Sequence, residues 1–273
     1  MVDIRACIYT DIGTTKSVNQ DSSMVKVAMT TAQKKLAIAV LCDGMGGLSS
    51  GEVASSAVIR RMEKWFYEEL PDLLNEKNQT MQLNETEEKR DYIWELIRSN
   101  WYSIVQEMNE QIAEYGKKRN IILGTTVVAV MVLDNEFLTM NVGDSRIYVN
   151  DGNRLDKITH DHSLVQQLID RGQITEMEAR NHPDKSVLLQ CVGASAKVVP
   201  DFIKGQIGTD TVMVICSDGF WRTLEPKELF DSTRPVMLTS DEILESNLKR
   251  MTETVKMRGE RDNISVIGLC CRP

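Results

Sequence analysis

Leu36–Ser50 reads LAIAVLCDGMGGLSS, and its first half, Leu36–Cys42, is an unbroken apolar run. A run of that length, closed by glycines, matches one strand buried on both faces. It ends at Asp43, passes through a glycine-rich turn, and enters a segment of helical periodicity near Gly51. A carboxylate at the exit of a buried strand stands on a rigid support and faces a loop. The glycines beside it allow close approach of the backbone to whatever the carboxylate holds.

The pattern recurs. Val212–Phe220 (VMVICSDGF) is an apolar run ending in Asp218-Gly219, and Leu138–Arg146 (LTMNVGDSR) ends in Asp144. Asp262-Asn263 heads the strand Ile264–Cys270, and Asn19-Gln20-Asp21 precedes the strand Ser22–Val27. Aspartates Asp21, Asp43, Asp144, Asp218 and Asp262 thus share strand-end placement, which points to one acidic cluster.

The 273 residues are 42% hydrophobic and 26% charged, with a net charge of −8. This composition suits a globular protein, and the lack of a Lys/Arg block argues against nucleic acid as a partner. No apolar stretch approaches the roughly 18 residues of a membrane span. The N-terminus lacks a signal-peptide hydrophobic region, so a cytoplasmic location is expected. Six cysteines show no CxxC spacing and lie mostly within apolar strands, as small buried hydrophobes do.

Along the chain, strands are expected at Asp3–Thr10, Ser22–Val27, Lys35–Cys42, Thr125–Leu133, Glu136–Val142, Arg146–Asn150, Arg154–Ile158, Val198–Ile203, Asp210–Ser217 and Ile264–Cys270. Helical spacing appears over Glu52–Leu74, where Pro71 reads as a stop or kink, over Ile93–Ile112, and over Asp241–Met257. Asn75–Asp91 is a polar insertion, and Ser163–Gln190 is a polar, helical excursion broken by Gly172 and Pro183. No repeat or linker divides residues 1–273, so a single domain is expected. Strands joined by short turns imply antiparallel sheets covered by helices, an α+β fold.

Clustered carboxylates repel one another and take up protons unless a cation neutralises them. An oxygen-only donor set suits Mg²⁺ or Mn²⁺ rather than zinc. Two such ions, ~3.5–4 Å apart in known two-metal sites, activate water and clamp phosphoryl oxygens. Alternative nucleophile motifs are missing: the chain has no GxSxG and no GxxxxGK[ST].

The ordered motifs Asn19-Gln20-Asp21, Asp43-Gly44-Met45-Gly46-Gly47, Gly51-Glu52, Gly124-Thr125-Thr126, Gly143-Asp144-Ser145-Arg146, Asp161-His162-Ser163, His182-Pro183, Ser217-Asp218-Gly219 and Asp262-Asn263-Ile264-Ser265 closely resemble the bacterial branch of the metal-dependent type-2C (PPM) serine/threonine protein phosphatases. The resemblance runs from about Thr10 to Cys271. It implies a sandwich of two antiparallel sheets flanked by helices on both sides, with a metal centre at one end. It implies two or three Mn²⁺ or Mg²⁺ ions. Asp43 would bridge two of them, Gly44 would offer its carbonyl, and Asp218 and Asp262 would complete the pair. Asp144, with Asp218, would form a weaker third-metal site, and Asp21 would act through metal-bound water and by orienting a basic neighbour. Ser163–Gln190 would be a flap that affects substrate choice. A metal-bridging water would attack phosphoserine or phosphothreonine in line, opposing a cognate Ser/Thr kinase. A monomer acting on phosphorylated proteins is expected.

Three positions depart from the family pattern. Lys16 stands where an arginine usually grips the substrate phosphate; it keeps the charge but loses the bidentate fork, and a solvated surface lysine is the competing reading. Gln20 replaces a glutamate, and Leu48 stands where relatives carry histidine. These departures favour a pseudophosphatase that binds phosphoproteins without turnover; the retained aspartates argue for catalysis. A hydrolase of small phosphate esters is a third possibility. Three isolated histidines at the flap margin, His160, His162 and His182, are read as structural hydrogen-bonders, and Asp161 or Ser163 as an N-cap.

Overall fold

A computed structural model describes residues 3–30, 33–46, 50–75, 87–238 and 240–272. Most of the polar insertion at 75–91, and Leu48, lie outside the described residues. The elements run β1 (Asp3–Asp11), β2 (Ser22–Met29), β3 (Lys35–Cys42), β4 (Gly44–Gly46), α1 (Gly51–Lys64), α2 (Leu70–Leu74), α3 (Glu87–Arg119), β5 (Leu123–Thr125), β6 (Val127–Leu133), β7 (Glu136–Val142), β8 (Arg146–Asn150) and β9 (Leu155–Lys157). They continue with α4 (Leu164–Asp170), α5 (Glu176–Arg180), β10 (Asp201–Gln206), β11 (Thr211–Cys216), α6 (Asp218–Trp221), α7 (Pro226–Ser232), α8 (Asp241–Met257) and β12 (Ile264–Arg272).

Two antiparallel five-stranded sheets, ordered β1-β12-β11-β8-β9 and β10-β7-β6-β3-β2, pack face to face. Ala37, Ala39 and Leu41 of β3 meet Ile147, Met213, Ile215 and Ile267 of the opposite sheet. The alternate residues Ile38, Val40 and Cys42 turn outward into a layer with Val58 and Met62 of α1 and Trp101 and Ile104 of α3. The β3 run is therefore apolar at every position because both of its faces are covered. On the other side, Val214, Cys216 and Val266 pack under Leu248, Met251 and Val255 of α8. The layers are helix, sheet, sheet, helix, as the resemblance implies.

Several local expectations change. The part of the expected glycine-rich turn that is described, Gly44–Gly46, is a short strand paired with β5, Gly44 opposite Thr125. That pairing is non-local, and a Cβ on Gly44 would lie 2.4 Å from the carbonyl oxygens of both Gln20 and Gly51. Pro71 does not stop the first helix. Trp65–Glu69 widens into a π-helical turn, and Pro71 then sits in the first turn of α2, where its missing N–H breaks nothing. The expected strand Val198–Ile203 shifts to Asp201–Gln206, since Pro200 has no N–H for a ladder. The short helices α6 and α7 were not anticipated. Cys42, Cys191, Cys216, Cys270 and Cys271 are buried free thiols. No described helix is long and apolar enough to cross a membrane.

Candidate active site

Four strand ends and the crossover from β7 to β8, which passes from one sheet to the other, converge at one end of the sandwich. A cavity of about 200 Å³ there is lined by Lys16, Asp43, Gly44, Asp144, Asp218 and Asp262, with Gln20, Thr126, Ser186 and Leu188 completing its wall. Asp21 lies directly behind, close enough for its charge to act on Asp43 and Asp218. Every aspartate singled out in the sequence is thus in or against one site.

Asp43 is held by its own backbone. Its N–H donates to Thr126 Oγ1 at 3.0 Å, and its carbonyl accepts from the Thr126 N–H at 2.9 Å and from Thr125 Oγ1 at 2.9 Å. Thr126 is the residue at which the chain passes from β5 to β6. Asp21 accepts from Ser217 Oγ at 3.1 Å, which leaves its Oδ1 buried and without a partner. The basic neighbour expected of Asp21 is not in contact with it among the described residues. Asn263 ties the two termini of the site, accepting from the Gln20 N–H at 2.9 Å and donating to the Ile12 carbonyl at 2.9 Å. Gly219 admits this approach: a Cβ there would lie 2.1 Å from the Asn263 carbonyl oxygen.

Burial, reinforced by mutual repulsion, sets the electrostatics. Burial ahead of the Asp218 charge pushes Asp21 up to about 7. Burial, then Asp218 and Asp161, pushes Asp144 up to about 8. Asp43, buried and crowded by Asp21, Asp218 and Asp144, rises well above the ordinary carboxylate range. Burial also raises Asp218, against the opposing charge of Arg222.

Two cations answer part of this charge. Lys16 Nζ lies 2.8 Å from Asp262 Oδ1, so Lys16 belongs to the cavity wall rather than to open surface. Arg222 contacts Asp218 Oδ2, leaving Asp218 Oδ1 buried and unpartnered. Among the described residues, no three acidic, histidine or cysteine side chains stand in an arrangement ready to hold a metal ion. The donor set itself fits a hard divalent cation: carboxylates only, with a buried oxygen of Asp21 and one of Asp218 left without a hydrogen-bond partner and both groups raised by burial.

The excursion 163–190 reaches the cavity through Ser186 and Leu188. Ser163 is the N-cap of α4, its hydroxyl accepting from the Gln166 N–H at 3.3 Å. Asp161 does not cap; it takes the fork of Arg146. The histidines are hydrogen-bonders, His162 to Asp201 at 3.1 Å and His160 to Asp170 at 2.9 Å. Sequence reasoning gave no role to Thr126, Ser217, Trp221 or Arg222. The spacing of Arg222 four residues after Asp218 was the only signal for the last.

A family model for protein phosphatase 2C matches residues 13–253. A candidate 2C-type protein phosphatase of Streptococcus pyogenes serotype M6 is 31% identical over 266 residues, 96% of each chain. The serine/threonine phosphatase stp of Listeria welshimeri is 31% identical over 84% of this chain and 82% of its own. Among solved structures, the serine/threonine phosphatase of S. agalactiae superposes with a TM-score of 0.73 at 28% identity, covering 98% of this chain and 99% of that one. A match of this extent, over the same motifs that converge on the acidic cavity, places the chain in the protein phosphatase 2C family.

Proposed function

We propose that Asp43, Gly44, Asp218 and Asp262 hold the metal ions with which this chain, a metal-dependent serine/threonine protein phosphatase of the 2C type, hydrolyses phosphoserine and phosphothreonine in proteins. The observation that carries this reading is the set of buried carboxylates facing one cavity without enough positive charge to neutralise them. Bound Mn²⁺ or Mg²⁺ supplies an activated water and stabilises charge on the phosphoryl oxygens. Lys16, on the rim of that cavity and partly exposed, is placed to receive the substrate phosphate once it leaves Asp262. Thr126 fixes the backbone of Asp43, and Ser217 orients Asp21 behind it.

Residues 1–273 act as one catalytic domain, with 163–190 as a flap whose Ser186 and Leu188 touch the substrate side of the cavity. We further read the chain as a cytoplasmic monomer opposing a Ser/Thr kinase, in keeping with its acidic composition and with the buried thiols of Cys42, Cys191, Cys216, Cys270 and Cys271. The test is phosphate release from a phosphothreonine peptide with Mn²⁺, with Mg²⁺ and with chelator, for wild type and Asp218→Asn. Turnover that needs metal and vanishes in the variant supports the reading. Metal binding without turnover in the wild type would instead mark a phosphoprotein-binding pseudoenzyme.

A further inference from the structure

Arg222 is a cation beside Asp218 that the metal-ion reading leaves without a task. It follows α6, one helical turn after Asp218, and its N–H donates to the Asp218 carbonyl at 2.9 Å. Its guanidinium contacts Asp218 Oδ2 on one side and lies 3.9 Å from Glu260 Oε1 on the other. Only 13% of the side chain is exposed. Its charge also acts on Asp144 and Asp262. Glu260 is itself fixed, its Oε1 accepting from the N–H groups of Arg261 and Asp262 at 2.8 and 3.0 Å.

The helix that carries Arg222 is anchored as well. Trp221 Nε1 donates to the Asp144 carbonyl at 3.0 Å, and the Trp221 ring lies 3.2 Å under the Arg146 guanidinium. The backbone that carries Arg222 is therefore fixed relative to Asp144. A guanidinium holds its charge at every accessible pH and presents a rigid fork to carboxylates.

We propose that the guanidinium of Arg222 is a built-in counter-ion for Asp218 and Asp144, standing where a third divalent ion would be taken up, so that this chain binds two metal ions and not three. The proposal rests on the metal-dependent reading of the site. It departs from the weaker Asp144–Asp218 metal position that the family resemblance implies. Arg222 touches Asp218 and lines one cavity with Asp144, so a single tethered charge faces both carboxylates without any ion from solution. Among the described residues Asp43 has no basic side chain in contact, and it remains, with Gly44, Asp262 and the unpartnered Oδ1 of Asp218, to hold two metal ions.

Counting Mn²⁺ tests this. In equilibrium dialysis of the full chain, with free Mn²⁺ read by electron paramagnetic resonance, wild type should saturate at two ions per chain. Arg222→Gln should saturate at three, and Arg222→Lys, which keeps a charge in place, at two. Anomalous scattering from Mn²⁺-soaked crystals should place the extra ion of Arg222→Gln between Asp144 and Asp218. A third ion at that position in the wild type, with Arg222 swung into the neighbouring cavity of about 270 Å³ that it lines, would overturn the proposal whatever the variants do. So would a folded Arg222→Gln that still saturates at two. Wild type that binds no Mn²⁺ near Asp43 removes the metal-dependent reading, and the Arg222 assignment falls with it.

Discussion

Asp43 and Thr126 bond reciprocally: the Asp43 N–H donates to Thr126 Oγ1 at 3.0 Å, and the Thr126 N–H donates to the Asp43 carbonyl at 2.9 Å. Thr126 Oγ1 also lies 2.8 Å from Ser145 Oγ, next to Asp144. One buried hydroxyl therefore holds the backbone of Asp43 and the side chain of the residue that follows Asp144. Thr126→Val conserves shape but strands a buried N–H and a buried hydroxyl, a cost of about 1–3 kcal/mol. We expect lower thermal stability and at least a tenfold loss of phosphate release, both restored by Thr126→Ser. Equal activity in the valine variant would show that the hydroxyl does not position Asp43.

Lys16 and Asp262 form a half-exposed pair at 2.8 Å, with 40% and 33% of the side chains exposed. Pairs of this kind contribute about 0–1 kcal/mol to stability. Lys16→Met should therefore leave the melting temperature nearly unchanged while raising KM for a phosphothreonine peptide by about tenfold, the loss of one charge-assisted contact. Lys16→Arg adds a bidentate fork and should lower KM. A KM unchanged in both variants would return Lys16 to the role of a surface lysine.

What the sequence made legible follows from which contacts are local. β3 was readable because both its faces are buried, so Leu36–Cys42 is apolar without interruption. The site aspartates were readable because each ends or heads such a run. The short strand Gly44–Gly46 was not, since its partner Leu123–Thr125 is far away in sequence and its glycines mimic a turn. Thr126 was hidden in a stretch that reads as one continuous strand, although the chain breaks there into β5 and β6. Arg222 was hidden because Asp218–Trp221 is too short for apolar periodicity to announce a helix, and only helical geometry brings positions 218 and 222 together.

The raised carboxylates give a pH-dependent need for metal. Asp21, pushed to about 7 by burial, and Asp144, pushed to about 8 likewise, hold protons in the folded state that the unfolded chain releases near 3.8. Stability contributed this way is fully present below the unfolded value and is lost as pH rises through the folded ones. The metal-free protein should lose melting temperature steadily between about pH 4 and pH 8. Divalent ions bind the ionised form, so the gain in melting temperature on adding Mn²⁺ should grow over the same window. Scans of thermal unfolding with chelator and with Mn²⁺ at several pH values decide this. A chelated protein equally stable at pH 5 and pH 8 would contradict it.

Arg146 joins the base of the flap to the floor of the site. Its Nε and Nη2 donate to Asp161 Oδ2 at 3.0 and 2.6 Å, and its Nη1 donates to the Tyr148 hydroxyl at 3.0 Å. The same guanidinium stacks on Trp221, which holds the Asp144 carbonyl. Asp161 has only 3% of its side chain exposed, so removing Arg146 leaves this buried charge with Lys157 Nζ, 3.4 Å away, as its remaining cationic partner. Arg146→Met should cost about 3–5 kcal/mol in urea unfolding. Arg146→Lys keeps the charge and loses the fork, so it should cost less, about 1–3 kcal/mol. Because the fork also aligns Trp221 with Asp144, Arg146→Lys should lower kcat on a phosphoprotein even where the fold is retained. Full kcat in that variant would separate the flap's anchor from the chemistry and confine Arg146 to stability.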